Sequence, residues 1–181
     1  DIYGPSVPTM SATQKEFLLS DKDSNFLPVK AHGIETVSIG NCVDKEAACL
    51  WKGPLVGKVL TDFLTQASWS NLDYLVIDTP PGTGDVHLGL SQHFNIDGAI
   101  LVTSPQKIAT ADVTRSVSAF KQMGIPILGM IQNFDGFICE NCKTETKIFP
   151  GRGAEELSKK FNIPLLGSLP IDPEISSAAD K

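Results

Sequence analysis

Two rhythms of hydrophobic and polar positions alternate along this chain. Residues 74–77 form a short apolar run, rich in β-branched and aromatic side chains and unbroken by polar alternation, as in a strand buried on both faces of a parallel sheet. Residues 98–103 and 126–132 read the same way, and residues 164–168 return as a further strand. Residues 33–40, G-I-E-T-V-S-I-G, alternate apolar and polar positions between two glycines and predict another strand. Between the strands the period lengthens. Leu55, Val56, Val59, Leu60, Phe63 and Leu64 recur at helical spacing behind Pro54. Residues 86–93 should begin a helix. Ser104 and Pro105 should cap and start the next, with Val113, Val117 and Phe120 on its inner face and Gly124 as its stop. Leu157 and Phe161 mark another helix, and a final one starts near Glu174. Strands and helices in alternation predict right-handed crossovers and a parallel sheet, an α/β fold in one domain over residues 1–181.

Composition narrows the classes without choosing a chemistry. With 181 residues, 41% of them hydrophobic and 20% charged, the chain can build a real core. A net charge of −6 and the absence of any Lys or Arg run argue against a nonspecific nucleic-acid or anionic-membrane surface. No apolar stretch approaches membrane-spanning length and no signal peptide is visible, although a chain that begins at Asp1 leaves any targeting segment outside it. Four cysteines, only two of them close together, point to a reducing compartment rather than a disulfide framework.

Chemistry concentrates in two places. The first is the string D-T-P-P-G-T-G-D from Asp78, where prolines and glycines force a loop after an apolar run. An acidic residue at the carboxyl end of a parallel strand, followed by a Gly-rich loop, is where open α/β sheets place ligands, and such a carboxylate holds magnesium in nucleotide hydrolases. The bland alternative is a turn cap. The second place is Cys139-Glu140-Asn141-Cys142, a spacing that suits zinc, an iron–sulfur cluster or a redox dithiol. A thioredoxin-like role fits poorly, because this motif lies in a polar loop late in the sheet. Phe134, Phe137 and Phe149 would shield a bound group or simply pack the loop. Cys42 and Cys49 read as small buried cysteines, and His87 and His93 as residues of a solvated helix rather than phosphate or cluster ligands.

The strings D-I-Y-G-P-S-V-P-T-M, D-T-P-P-G-T-G-D-V-H-L, T-S-P-Q-K-I-A-T-A-D-V and Q-N-F-D-G-F-I-C-E-N-C, in this order over essentially the whole chain, resemble the Mrp/ApbC family. These are deviant-Walker P-loop ATPases related to MinD and ParA that assemble or carry iron–sulfur clusters. The resemblance implies a doubly wound, mostly parallel P-loop-type sheet of about seven strands. Asp78 would hold the magnesium of ATP, Asp1 would orient the attacking water, and the loop with Thr79, Pro80, Gly82 and Gly84 would sense the γ-phosphate. Asn133 would read the adenine, with Pro170 in a second base-side loop. Cys139 and Cys142 would bind a labile 4Fe-4S cluster shared between two subunits, identical or paralogous, for delivery to apo iron–sulfur clients in the cytoplasm or the mitochondrial matrix. No nucleic-acid or membrane partner is expected. A phosphate loop of the form G-x-x-x-x-G-K-S/T has no match here, since Gly53 to Lys58 has the wrong spacing and no following Ser or Thr. An N-terminal portion with that loop is therefore expected outside this chain, and weak ATPase activity would depend on it. The rival readings are a MinD/ParA-like positioning ATPase and a zinc-stapled dimerisation module without catalysis.

Overall fold

The computed structural model describes residues 1, 5–42 and 53–180, which form two compact units. One comprises Asp1–Pro80, Asp85–Gly89 and Glu174–Lys181, the other Pro81–Gly84 and Leu90–Pro173.

In the first unit, the Asp1 carbonyl accepts from the Ile39 amide at 2.9 Å and its backbone nitrogen donates to the Val37 carbonyl at 3.4 Å. A one-turn helix α1 (Val7–Met10) follows, with proline in its first turn, where the missing N–H costs nothing. Strands β1 (Leu19–Ser20) and β2 (Phe26–Leu27) pair antiparallel around the acidic turn at Asp21. The turn is tied down, because Asp21 accepts bonds from the Asp23 and Asn25 amides and from the Ser68 hydroxyl at 2.7 Å. Strands β3 (Val29–Ala31) and β4 (Ile34–Thr36) pair antiparallel across His32 and Gly33, both with positive φ, as a two-residue type I′ turn demands. The strand expected over 33–40 thus ends at Thr36. The Ser38 hydroxyl accepts from the Gly40 amide and turns the chain into a 3-10 helix, Ile39–Asn41.

Helix α2 (Gly53–Thr65) buries Val56, Leu60 and Phe63, the face its periodicity predicts. Phe63 packs with Val37 and Ile39 and meets Phe26 edge-to-face at 5.4 Å. Cys49 and Trp51 lie outside the described residues. Cys42 does not: it is exposed, contrary to the expectation of burial, because it falls in the turn that ends the 3-10 helix. The larger departure is at residues 73–78. This segment belongs to no sheet among the described residues, and Tyr74 and Val76 are 88% and 89% exposed. A strand owes its existence to ladder partners, and no described strand lies in register beside this one. Helix α3 (Asp85–His93) follows its loop.

The second unit is built on a parallel sheet in the order β5 (Ala99–Thr103), β6 (Ile127–Gln132), β9 (Leu165–Ser168). Helix α4 (Lys107–Gln122) connects the first two strands, and the hairpin of β7 (Phe137–Ile138) and β8 (Glu145–Thr146) with helix α5 (Gly153–Phe161) connects the second and third. Leu101, Met130, Val113, Val117, Leu157 and Ile163 form its core. Ser104 does not cap α4. Its hydroxyl reaches the Gln106 side chain instead, and the helix starts at Lys107. Gly124 does stop it, at φ +71°, with Gly124 N–H bonded to Lys121 O and Ile125 N–H to Phe120 O, a Schellman ending. Helix α6 (Pro173–Ala179) closes the described chain. Among the described residues no helix is long and apolar enough to cross a membrane.

Candidate functional site

Asp1 and Asp78 come together in the first unit. Both line a cavity of about 610 Å³ whose other walls include Val37, Phe63, Trp69 and Pro80. The Asp1 carboxylate is fixed through one oxygen: Oδ2 accepts from the Val7 amide at 2.9 Å and from the fully buried Ser38 hydroxyl at 2.9 Å. Asp78 is exposed and stands at the carboxyl end of the extended segment. One anchored and one solvent-facing carboxylate suit a hydrated divalent cation, which binds through few protein ligands and keeps several waters.

Of the loop after Asp78, Thr79 and Pro80 are half-buried and residues 81–84 are exposed. Gly82 adopts φ +93°, a conformation that a side chain would strain. Gly84 is the N-cap of α3 and, as a glycine, offers no capping side chain. His87, two residues into α3, is 5% exposed and therefore not on a solvated face. Burial lowers its pKa and keeps the imidazole neutral. His93 is exposed, as expected.

In the second unit Asn133 and Pro170 lie on adjoining backbone stretches. The Asp135 amide donates to Leu169 O at 3.0 Å, and the Ile171 amide to Gly136 O at 2.6 Å. Asn133 is half-buried at the end of β6, its amide bonded to Thr103 O at 2.7 Å and its side-chain oxygen accepting from the Phe134 amide at 3.0 Å. From here the chain runs directly into the β7–β8 hairpin, whose tip carries the cysteines. Cys139 N–H donates to Thr144 O at 3.1 Å and Lys143 N–H to Cys139 O at 2.8 Å, with Lys143 at φ +56° closing the turn. Cys139 is half-buried and Cys142 exposed. Hydrogen bonds from Thr144, side chain then backbone, and from Cys139 hold the Cys142 thiol down to about 7. A thiol in that range is substantially thiolate at neutral pH, the form that binds metals. Among the described residues no third His, Cys, Asp or Glu joins the pair in a group able to hold a metal. Phe137 and Phe149 are half-buried near the hairpin in sequence, while Phe134, at φ +58°, is exposed.

Sequence reasoning passed over the polar residues that hold these parts in place. Gln132 is 3% exposed. Its side chain accepts from the Ala154 amide at 2.9 Å and donates to Asp135, which in turn meets Lys147 at 3.1 Å. The available signal was a polar residue closing an otherwise apolar strand, which when buried must find partners.

A parallel sheet with helical crossovers, an acidic residue before a Gly-rich loop and an asparagine just after β6 are the features of an α/β protein of the P-loop nucleotide hydrolase class. Within that class, the family model described as ParA, NUBPL iron-transfer P-loop NTPase, matches residues 1–181, and the chain belongs to this family. It is similar to the iron–sulfur cluster carrier protein of Aquifex aeolicus (42% identical, all of this chain and 50% of that protein) and to that of Escherichia coli K12 (40% identical, all of this chain and 49% of that protein). The chain therefore spans about half the length of these relatives. Among solved structures it resembles a nucleotide-binding protein from Archaeoglobus fulgidus in complex with ADP, with a TM-score of 0.81 and 31% identity over 98% of this chain and 69% of that one.

Proposed function

We propose that this chain is part of an iron–sulfur cluster carrier that binds an adenine nucleotide with magnesium and holds its cluster between two subunits. The observation that carries the reading is the hairpin tip: two cysteines, one with its pKa held at about 7, and no third candidate ligand grouped with them among the described residues. A cubane cluster takes four thiolates, so two copies of this hairpin about a twofold axis would complete the set from identical parts. The partner would be a second copy or a paralogue, and the recipients apo iron–sulfur proteins in the cytoplasm or the mitochondrial matrix. The cluster is cargo, and Cys139 and Cys142 would bind and release it. On the nucleotide side, Asp78 would hold the magnesium shell and Asp1, fixed by Ser38 and the Val7 amide, would position water. Thr79, Pro80, Gly82 and Gly84 would follow the terminal phosphate, and Asn133 with Pro170 would contact the base, an amide offering it both donor and acceptor. Magnesium would supply charge neutralisation at the phosphates.

The test is anaerobic reconstitution of the full-length protein with iron and sulfide, followed by iron analysis of the native form and of Cys139→Ala and Cys142→Ala. The expected result is about four irons per dimer, lost in both variants. Tightly bound zinc and no reconstitutable iron would make the hairpin a structural staple.

A further inference from the structure

Gln132, Asp135 and Lys147 belong to three successive pieces of chain: the end of β6, the turn after it, and the residue that leaves β8. They form one connected polar chain. Gln132 accepts the Ala154 amide at the start of α5 and donates to one oxygen of Asp135, while the other oxygen takes the Lys147 ammonium at 3.1 Å. Lys147 also reaches Glu145 at 2.6 Å, so the lysine bridges the two carboxylates, which together raise its pKa, Glu145 first and Asp135 second; the Asp135 side chain is the less exposed of the two, 23% against 54%. Burial pushes the Asp135 carboxyl upward, but bonds from Lys147, Ser168 and Gln132 outweigh it and hold the group below the usual carboxylate range. Asp135 is thus anchored as an anion, between the stretch that contains Asn133 and the base of the cysteine hairpin.

Backbone contacts continue the path. Asp135 N–H is bonded to Leu169 O and Ile171 N–H to Gly136 O, so the chain on both sides of Pro170 is joined to the chain that enters β7. Glycine at 136 lets the chain entering β7 pass close to β8: a Cβ there would stand 3.1 Å from Thr146 O and 3.3 Å from the Glu145 carboxylate. Through these two backbone bonds, a displacement of the chain beside Asn133 or Pro170 must move the entry of β7, the strand that leads into Cys139, or break the bonds.

We propose that Asp135, clamped by Gln132 and Lys147, is a positioning residue that couples the base-side edge at Asn133 and Pro170 to the cysteine hairpin, so that nucleotide occupancy is felt at Cys139 and Cys142. The positioning half stands on the geometry alone; the coupling half rests on the functional reading above.

The experiment compares the full-length protein with Asp135→Asn, Lys147→Met and Lys147→Arg. Amide hydrogen exchange on the metal-free forms is followed at Cys139, Lys143 and Ile171. Loss of the clamp should speed exchange at these amides about tenfold in Asp135→Asn and Lys147→Met, leave Lys147→Arg near native, and leave Leu101 and Met130 protected. ADP is then titrated into each form before and after loading with iron and sulfide. Native ADP affinity should differ about tenfold between the two states, within the usual range of coupling, and the difference should collapse in the first two variants and persist in Lys147→Arg. Native exchange rates in both clamp-breaking variants overturn the positioning role. If native protein takes up both ADP and iron but binds ADP equally in the two states, the coupling is overturned while the carrier reading survives. A native protein that takes up no iron overturns the carrier reading and the coupling with it, whereas the exchange result still decides the positioning role.

Discussion

Residues 73–78 and β6 carry nearly the same sequence message. Each is an apolar run that ends in polar residues, L-V-I-D in one and G-M-I-Q-N in the other. Their fates differ. β6 is paired on both edges, to β5 and to β9, and its Met130 is wholly buried. The other segment has no ladder partner among the described residues and exposes Tyr74 and Val76 almost fully. Hydrophobic patterning states what a segment can become; hydrogen-bonded neighbours and covering helices decide whether it does. The contrast extends to the polar ends: Gln132 is buried and bonded on both sides of its amide, while Asp78 faces solvent.

Truncation of side chains should expose this difference most strongly. In urea unfolding of the 181-residue chain by itself, Met130→Ala should cost about 2–5 kcal/mol, the range for a buried large-to-small change, whereas Val76→Ala should stay within about 0.5 kcal/mol. Equal costs would mean that residues 73–78 are as firmly packed as β6. Next in size is Gln132→Leu. It keeps the bulk but leaves the Ala154 amide and one Asp135 oxygen without their partner, at about 1–3 kcal/mol. Unfolding midpoints indistinguishable from native would show that Gln132 contributes bulk alone.

Much of the architecture was legible because it follows from local rules. The 3.6-residue spacing placed α2, α4 and α5, Gly124 marked a helix end through its backbone freedom, and the apolar runs of the second unit are strands. The segment 73–78 escaped for want of nonlocal ladder partners among the described residues, and the other pieces turn on local hydrogen bonds that spacing does not reveal. The strand over 33–40 stops early because a buried serine redirects it, α4 starts late because Ser104 bonds elsewhere, and Cys42 is exposed because it ends a turn. Of the candidate site, the residue types and spacings could be read directly. The anchors Ser38, Gln132, Asp135 and Lys147 could not, since each acts through a partner distant in sequence or a turn away.

His87 supplies a pH test of the same contrast between patterning and packing. Burial lowers its pKa in the folded chain, so the unfolded state binds the proton more readily. Its contribution to stability is then complete above the ordinary histidine pKa of about 6.5 and falls as pH drops from there toward the folded value. The unfolding midpoint should decline over that interval, and the decline should be smaller in His87→Gln. A histidine on a solvated helix would leave the two profiles parallel.

The smallest effect is expected at the hairpin tip, where no folding free energy needs to change. Thr144 makes the leading contribution to holding Cys142 at about 7, through its side chain first and its backbone second. Thr144→Val removes the hydroxyl and keeps the backbone bond, so the thiol should move part of the way back toward the ordinary cysteine value of about 8.5. Iodoacetamide alkylation of the metal-free protein, followed against pH and read by peptide mass, should show Cys142 reacting with a midpoint near 7 in the native form and a higher one in the variant. At pH 7 that shift lowers the thiolate fraction, and with it the rate, by a few-fold at most, because a less acidic thiolate is also the stronger nucleophile. An unchanged midpoint would mean that the backbone and Cys139 set the acidity without the hydroxyl.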